Sequence, residues 1–124
     1  MVSTLILNQL KKLYPEKAIF SFPKDQPTEI ICEVESTSLH PEFSKAVAII
    51  DQSAPHVHYQ TTETYTIING ELDLFIDGEK HHLSKGESYE IKPGQVHYAI
   101  GRETWVECVS RPGWIKEDHF LVEL

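Results

Sequence analysis

The residues best suited to chemistry in this 124-residue chain are His56, His58, Glu63 and His97. Alternate side chains of an extended strand project to one face, so His56-Val57-His58 aims two imidazoles at a common point. Glu63 follows the polar connection Tyr59-Gln60-Thr61-Thr62 and opens the run Glu63 to Ile68, from which a carboxylate could meet the same point across neighbouring strands. His97 stands three residues beyond Gly94, where a Pro93-Gly94 corner could aim a third imidazole inward from a distant part of the chain. Three nitrogens and one carboxylate oxygen suit one divalent ion: Fe(II), Mn(II), Ni(II), Co(II) or Zn(II). On a metal with five or six ligands this set leaves positions open, as catalysis requires and structural zinc sites avoid.

Short strands must carry these groups. Ser3 can cap an opening helix in which Ile6, Leu10 and Leu13 recur at one-face spacing, Lys11 and Lys12 favour its C-terminal end, and Pro15 stops it. The pattern then changes to β-favouring runs, Ala18 to Phe22, Thr28 to Val34 and Lys45 to Ile50, separated by Pro, Asp and Ser clusters. Asn69-Gly70 and Asp77-Gly78 are both two-residue hairpin signals and bracket a strand from Glu71 to Ile76. Gly86 and Pro93-Gly94 flank a strand containing Tyr89 and Ile91, and the run from Trp105 to Val109 is the last clear strand. Turn signals at this density predict an all-β sandwich or barrel rather than a parallel sheet, which needs long crossovers.

Size and composition narrow the partners. A chain of 124 residues fits one domain with one core, and nothing in it reads as a linker or a repeat. The formal charge of -8 repels phosphate backbones and anionic lipid surfaces, which argues against nucleic acid and membrane partners. No apolar run approaches the length that spans a bilayer, and Met1 to Leu13 reads as structure rather than as a signal peptide, so a cytoplasmic location is expected. Cys32 and Cys108 lie in apolar runs without metal-site spacing and are expected to pack as free thiols.

The remaining polar residues have weaker roles. Tyr65 and Ile67 share parity with Glu63 and should face the interior, where Tyr65 could orient a substrate or pack. Tyr89 and Trp105 are barrel-wall candidates, Glu107 could serve as a general base if its strand turns it inward, and Arg111 could bind an anion or pair with an acid. His40, His81, His82 and His119 are expected at the surface or as satisfied core residues.

His56-x-His58-x4-Glu63-x6-Gly70 resembles the first cupin motif with its spacings intact, although Ile50 replaces the usual leading glycine. Gly86, Pro93, Gly94 and His97 resemble the second motif, with Pro93 one place later than in the commonest form and Gly101 where asparagine is usual. The tail, Ser110-Arg111-Pro112-Gly113-Trp114 and Glu117-Asp118-His119, resembles that of small bacterial and archaeal cupins. The resemblance implies a double-stranded β-helix barrel over residues 46–109, with an N-terminal helix and strands in residues 1–44, a tail from 110 to 124, and the metal inside.

Three functions are compatible with that resemblance. The first is a metal-dependent enzyme on a small polar metabolite, such as a sugar or sugar-phosphate isomerase, in which the ion polarises a carbonyl while Glu107 or Tyr65 moves a proton. The second is an Fe- or Ni-dependent dioxygenase using the same four ligands. The third is a non-catalytic barrel that binds a small molecule. An apolar sheet edge and the apolar N-terminal helix point to a homodimer.

Overall fold

The computed structural model describes residues 1–124. Helix α1 (Ser3–Leu13) is followed by strands β1 (Ile19–Phe22), β2 (Glu29–Glu35), β3 (Ser44–Gln52), β4 (His56–Val57) and β5 (Thr62–Asn69). Then come β6 (Glu71–Ile76), β7 (Glu79–Ser84), β8 (Ser88–Ile91), β9 (His97–Arg111), a 3-10 turn (Lys116–Asp118) and β10 (Phe120–Leu121). No helix is long and apolar enough to cross a membrane.

All pairings are antiparallel, and β9 joins two walls of one curled sheet. Its C-terminal half lies between β3 and β5, extending through β2 to β1 on one side and to β8 on the other. Its N-terminal end pairs with β6 and β4, which lead to β7 and β10. The strand turns from wall to wall at Gly101, where an added Cβ would lie 2.5 Å from Thr104 Oγ1 and 2.9 Å from the Ile50 carbonyl oxygen. Glu103 adopts φ 45°, and its N–H donates to Asp51 Oδ1 at 2.7 Å. This double-stranded β-helix is the predicted all-β barrel.

Two apolar clusters lie on opposite faces of β3. Ala48 and Ile50 join Tyr65, Ile67, Leu72, Leu74, Val106 and Cys108 inside the barrel. Val47 and Ile49 face outward and, with Ile30 and Cys32, receive Ile6 and Leu10 of α1. Burial on both faces explains the unbroken run Ala46 to Ile50, because a strand with one wet face would alternate. Each fully buried aliphatic side chain contributes about 1.5–3 kcal/mol of transfer free energy, so α1 closes one wall and stabilises it.

Several details differ from the sequence reading. Ser3 lies inside α1; Val2 holds the N-cap position with no side-chain cap, and its N–H donates instead to Glu103 Oε2 at 3.0 Å. Leu13 is exposed, so the apolar stripe of α1 ends at Leu10. Asp77-Gly78 does make the β6–β7 hairpin, with φ of 47° and 85°. Asn69-Gly70 makes no hairpin: β5 pairs with β8 and β9, and β6 with β7 and β9, so this corner carries the chain between walls. The strand around Trp105 starts eight residues earlier, at His97, and a short β10 follows it. Trp105 packs with the outer, helix-side cluster, whereas Tyr89 packs on the barrel interior.

Candidate metal centre

The register of three strands brings the motif residues to one end of the barrel. His56 in β4 is directly opposed to His97 in β9, and opposed residues of an antiparallel pair share a face. His58 lies one residue beyond the end of β4, and its carbonyl accepts the Gly94 N–H at 2.7 Å, tying the two motif loops together. Glu63 enters from β5, opposite Ile91 and Ser110, and Ser110 Oγ donates to Glu63 Oε2 at 3.2 Å. One ligand atom from each of the four residues lies within 4.8 Å of the others, and all four residues are buried.

The hydrogen bonds around the imidazoles decide where their lone pairs point. His56 Nδ1 donates to the Ala54 carbonyl at 2.8 Å, His58 Nδ1 to the Asp118 carbonyl at 2.9 Å, and His97 Nδ1 to the Gln95 carbonyl at 3.0 Å. A carbonyl oxygen only accepts, so each neutral ring carries its proton on Nδ1 and leaves an Nε2 lone pair free. His58 Nε2, His97 Nε2 and Glu63 Oε1 are buried without any hydrogen-bond partner. Glu63 Oε1 lies 3.4 Å from His97 Nε2 and 3.9 Å from His58 Nε2. Donors bound to one ion at about 2.0–2.2 Å sit roughly 3 to 4 Å apart, so these separations fit a shared cation. Orphaned buried polar atoms cost about 1–3 kcal/mol each, and three facing one another are what an ion would satisfy. The cluster can hold a metal.

Electrostatics favour the same protonation states. Burial, followed by the neighbouring His97 charge, lowers the His56 pKa to about 3, which keeps that imidazole neutral. Burial raises the Glu63 carboxyl, but His97, His58 and His56 outweigh it and hold the group near 2, so it stays ionised. A neutral His56 imidazole and an ionised Glu63 carboxylate are the forms that bind a divalent cation without first releasing a proton.

Tyr65 lies two positions beyond Glu63 on the interior face, its ring edge-on to His97 at 6.3 Å. Burial raises its phenol well above the ordinary range and keeps it protonated. Glu107 is not brought to the cluster. It sits between the interior residues Val106 and Cys108, so strand alternation turns it outward, where it lies 3.8 Å from Lys45 Nζ. Arg111 is also exposed, its guanidinium 4.9 Å from the centre of the Phe43 ring. Cys32 and Cys108 are buried and free, and burial raises both thiols.

Three residues join the site to which the sequence reading gave no role there. Glu29 is opposed to Ile50, so its side chain shares the interior face, and its carboxylate makes no hydrogen bond or ion pair. Burial and then the Glu63 charge push its pKa up to about 7, with His97 opposing them. Its only sequence signal was a lone acid inside an apolar strand, Glu29-Ile30-Ile31-Cys32. Asp118 is buried; its backbone carbonyl holds His58, while its carboxylate accepts the Tyr59 N–H at 2.9 Å and the Gln60 N–H at 3.1 Å. His119, expected at the surface or as satisfied core, stacks on His56 with ring centres 4.7 Å apart. No local pattern marks a tail that returns across the site.

The cupin domain model matches residues 48–106, which contain all four clustered residues. An uncharacterized protein of Aquifex aeolicus is 33% identical over 97 residues, spanning 74% of this chain and 80% of that one. Among solved structures, the Streptomyces nucleoside dehydratase Pac13 superposes with a TM-score of 0.77 at 11% identity, covering 90% of this chain and 88% of that one. Ectoine synthase from P. lautus superposes with a TM-score of 0.61 at 20% identity, covering 80% and 79%. At such identities these two structures speak for the fold alone. Motif spacing, barrel topology and the family match agree: this chain belongs to the cupin superfamily.

Proposed function

We propose that this chain is a metal-dependent enzyme that moves a proton on a small polar metabolite, with sugar or sugar-phosphate isomerisation as the leading case. The observation that carries the reading is the pairing of two features in one barrel. One is a set of buried ligand atoms without hydrogen-bond partners, converging on one point; the other is an unpartnered carboxyl, Glu29, facing the same interior with a pKa of about 7. A divalent ion in the four-residue cluster supplies Lewis acidity toward a substrate carbonyl. His56, His58, Glu63 and His97 hold that ion, and the backbone carbonyls behind the three imidazoles keep them oriented.

Glu29 takes the role first sought in Glu107. A carboxylate titrating near neutrality can accept a proton from carbon next to a carbonyl and return it to the adjacent carbon. The Tyr65 phenol, protonated throughout the neutral range, can donate a hydrogen bond to substrate oxygen. The nucleoside dehydratase and ectoine synthase structures support the idea that barrels of this shape accommodate small polar substrates.

The test is proton exchange in D2O. Metal-replete protein is incubated with a panel of aldoses, ketoses and their phosphates, and solvent deuterium in the sugar is read by NMR. Incorporation that disappears in Glu29→Gln, with metal content unchanged, is the expected result. A metal-replete sample silent across the panel would overturn the isomerase reading. The chain is further proposed to act as a homodimer, supported by the exposed Phe20 and Phe22 on edge strand β1.

A further inference from the structure

The C-terminal segment brings a fourth histidine to the cluster. The His119 ring stacks on His56 with an interplanar angle of 20° and lies 5.3 Å from His58, yet it is absent from the converging ligand set. The segment is held in place on both sides of it. Thr37 Oγ1 donates to the Trp114 carbonyl at 2.6 Å, the Trp114 N–H donates to Ser44 Oγ at 2.9 Å, and the Val122 N–H donates to the Pro55 carbonyl at 3.0 Å. The neighbouring Asp118 is bonded to His58 and to the loop that follows it.

The hydrogen bonding of His119 is the reverse of that of the three other rings. An indole N–H only donates, so Trp114 Nε1, 3.2 Å from His119 Nδ1, makes that nitrogen an acceptor. The neutral ring must then carry its proton on Nε2. His56, His58 and His97 therefore present lone pairs at Nε2, whereas His119 presents an N–H that has no partner within the protein.

We propose that His119 is a substrate-orienting residue whose Nε2–H donates a hydrogen bond to an oxygen of the small molecule held at the metal, with Trp114 as the positioning residue that selects its tautomer. The inference rests on the metal-centre reading and names the class of ligand: a molecule offering a carbonyl, hydroxyl or carboxylate oxygen beside its metal-binding group. A donor at this place rejects ligands that offer only apolar groups or hydrogen-bond donors.

Two measurements test it on the full chain. Long-range 15N–1H correlation spectra of metal-free protein should show His56, His58 and His97 protonated at Nδ1 and His119 at Nε2; a His119 proton on Nδ1 overturns the proposal. Oxalate is then titrated into Co(II)-loaded protein and followed by the visible spectrum of the ion. One lost hydrogen bond is worth about 5- to 10-fold in affinity. That loss is expected in His119→Phe and in Trp114→Phe, with Co(II) affinity unchanged and with oxalate binding largely kept in His119→Gln, whose amide N–H replaces the imidazole's. Equal oxalate affinity in all four proteins overturns the proposal and leaves the metal centre standing. Loss of Co(II) from the His119 variants makes the residue a ligand and also overturns it. Failure of the unaltered protein to take up Co(II) at all overturns the metal reading, and this inference with it.

Discussion

Lowering the pH of metal-free protein should unfold it through His56, and the size of the effect follows from the site. The imidazole has a folded pKa of about 3, against an ordinary value of 6.5. Between those values the unfolded chain binds a proton that the folded chain refuses, so stability rises with pH there and is lost as pH falls. From pH 7 to pH 4.5 the loss from this residue alone is about 2 to 3 kcal/mol, toward a limit of about 5 kcal/mol below pH 3. The Glu63 carboxylate, held near 2, contributes stability above its ordinary 4.5 that is lost as pH falls toward 2, so it acts in the same direction at lower pH.

The assay is urea unfolding of EDTA-treated protein at pH 7, 6, 5 and 4.5, with His56→Gln as the comparison. Glutamine can still donate to the Ala54 carbonyl that His56 Nδ1 meets at 2.8 Å, but it does not titrate. Glu29 acts in the opposite direction over this range in both proteins, so the His56 effect is read as a difference: between pH 7 and 4.5 the urea midpoint of the unaltered protein should fall by about 1 to 2 M relative to that of the variant. A divalent ion at a hundred times its dissociation constant should add about 2.7 kcal/mol at pH 7, a gain that shrinks in acid as protons compete for the ligands. Parallel pH profiles for the two proteins would refute the neutral, buried imidazole and the argument built on it.

Glu29→Gln should show the opposite pH dependence. An acid whose folded pKa is about 7 rather than 4.5 loses stability as pH rises between those values, so the variant should be more stable at pH 8 by at most about 3 kcal/mol, with no such advantage at pH 4, as measured by thermal and urea melts. Asp118→Ala removes the carboxylate that fixes the Tyr59-Gln60 loop beside His58; metal affinity by competition with a chromophoric chelator should fall about 10- to 100-fold, with the fold retained by circular dichroism. Sedimentation velocity at micromolar concentration should show a dimer that Phe20→Lys with Phe22→Lys converts to monomer; a monomer before substitution would sink the homodimer proposal.

What the sequence determined by itself is local. Spacing on one strand is enough to put His56 and His58 on a common face, because side-chain alternation is a property of any β-strand. Turn chemistry is similarly local, so Asp77-Gly78 specifies its hairpin and Pro93-Gly94 its corner. The apolar run Ala46 to Ile50 announces a strand buried on both faces, though not what buries it. Long-range register is different. Asn69-Gly70 has the same turn chemistry as Asp77-Gly78, yet its flanking strands enter different walls, β5 pairing with β8 and β9 and β6 with β7 and β9, partners that lie far away in sequence.

The same distinction separates the ligands from their neighbours. His56, His58, Glu63 and His97 announce themselves by residue type and spacing. Glu29 and Glu107 are both acids within strands, and only the opposition of Glu29 to Ile50, and the place of Glu107 between Val106 and Cys108, turn one inward and the other outward. His119 and Asp118 reach the site because β10 pairs with β4 and returns the tail across it. That contact spans about sixty residues of sequence, as the His58 to Asp118 hydrogen bond records, and depends on closure of the whole barrel rather than on any local preference.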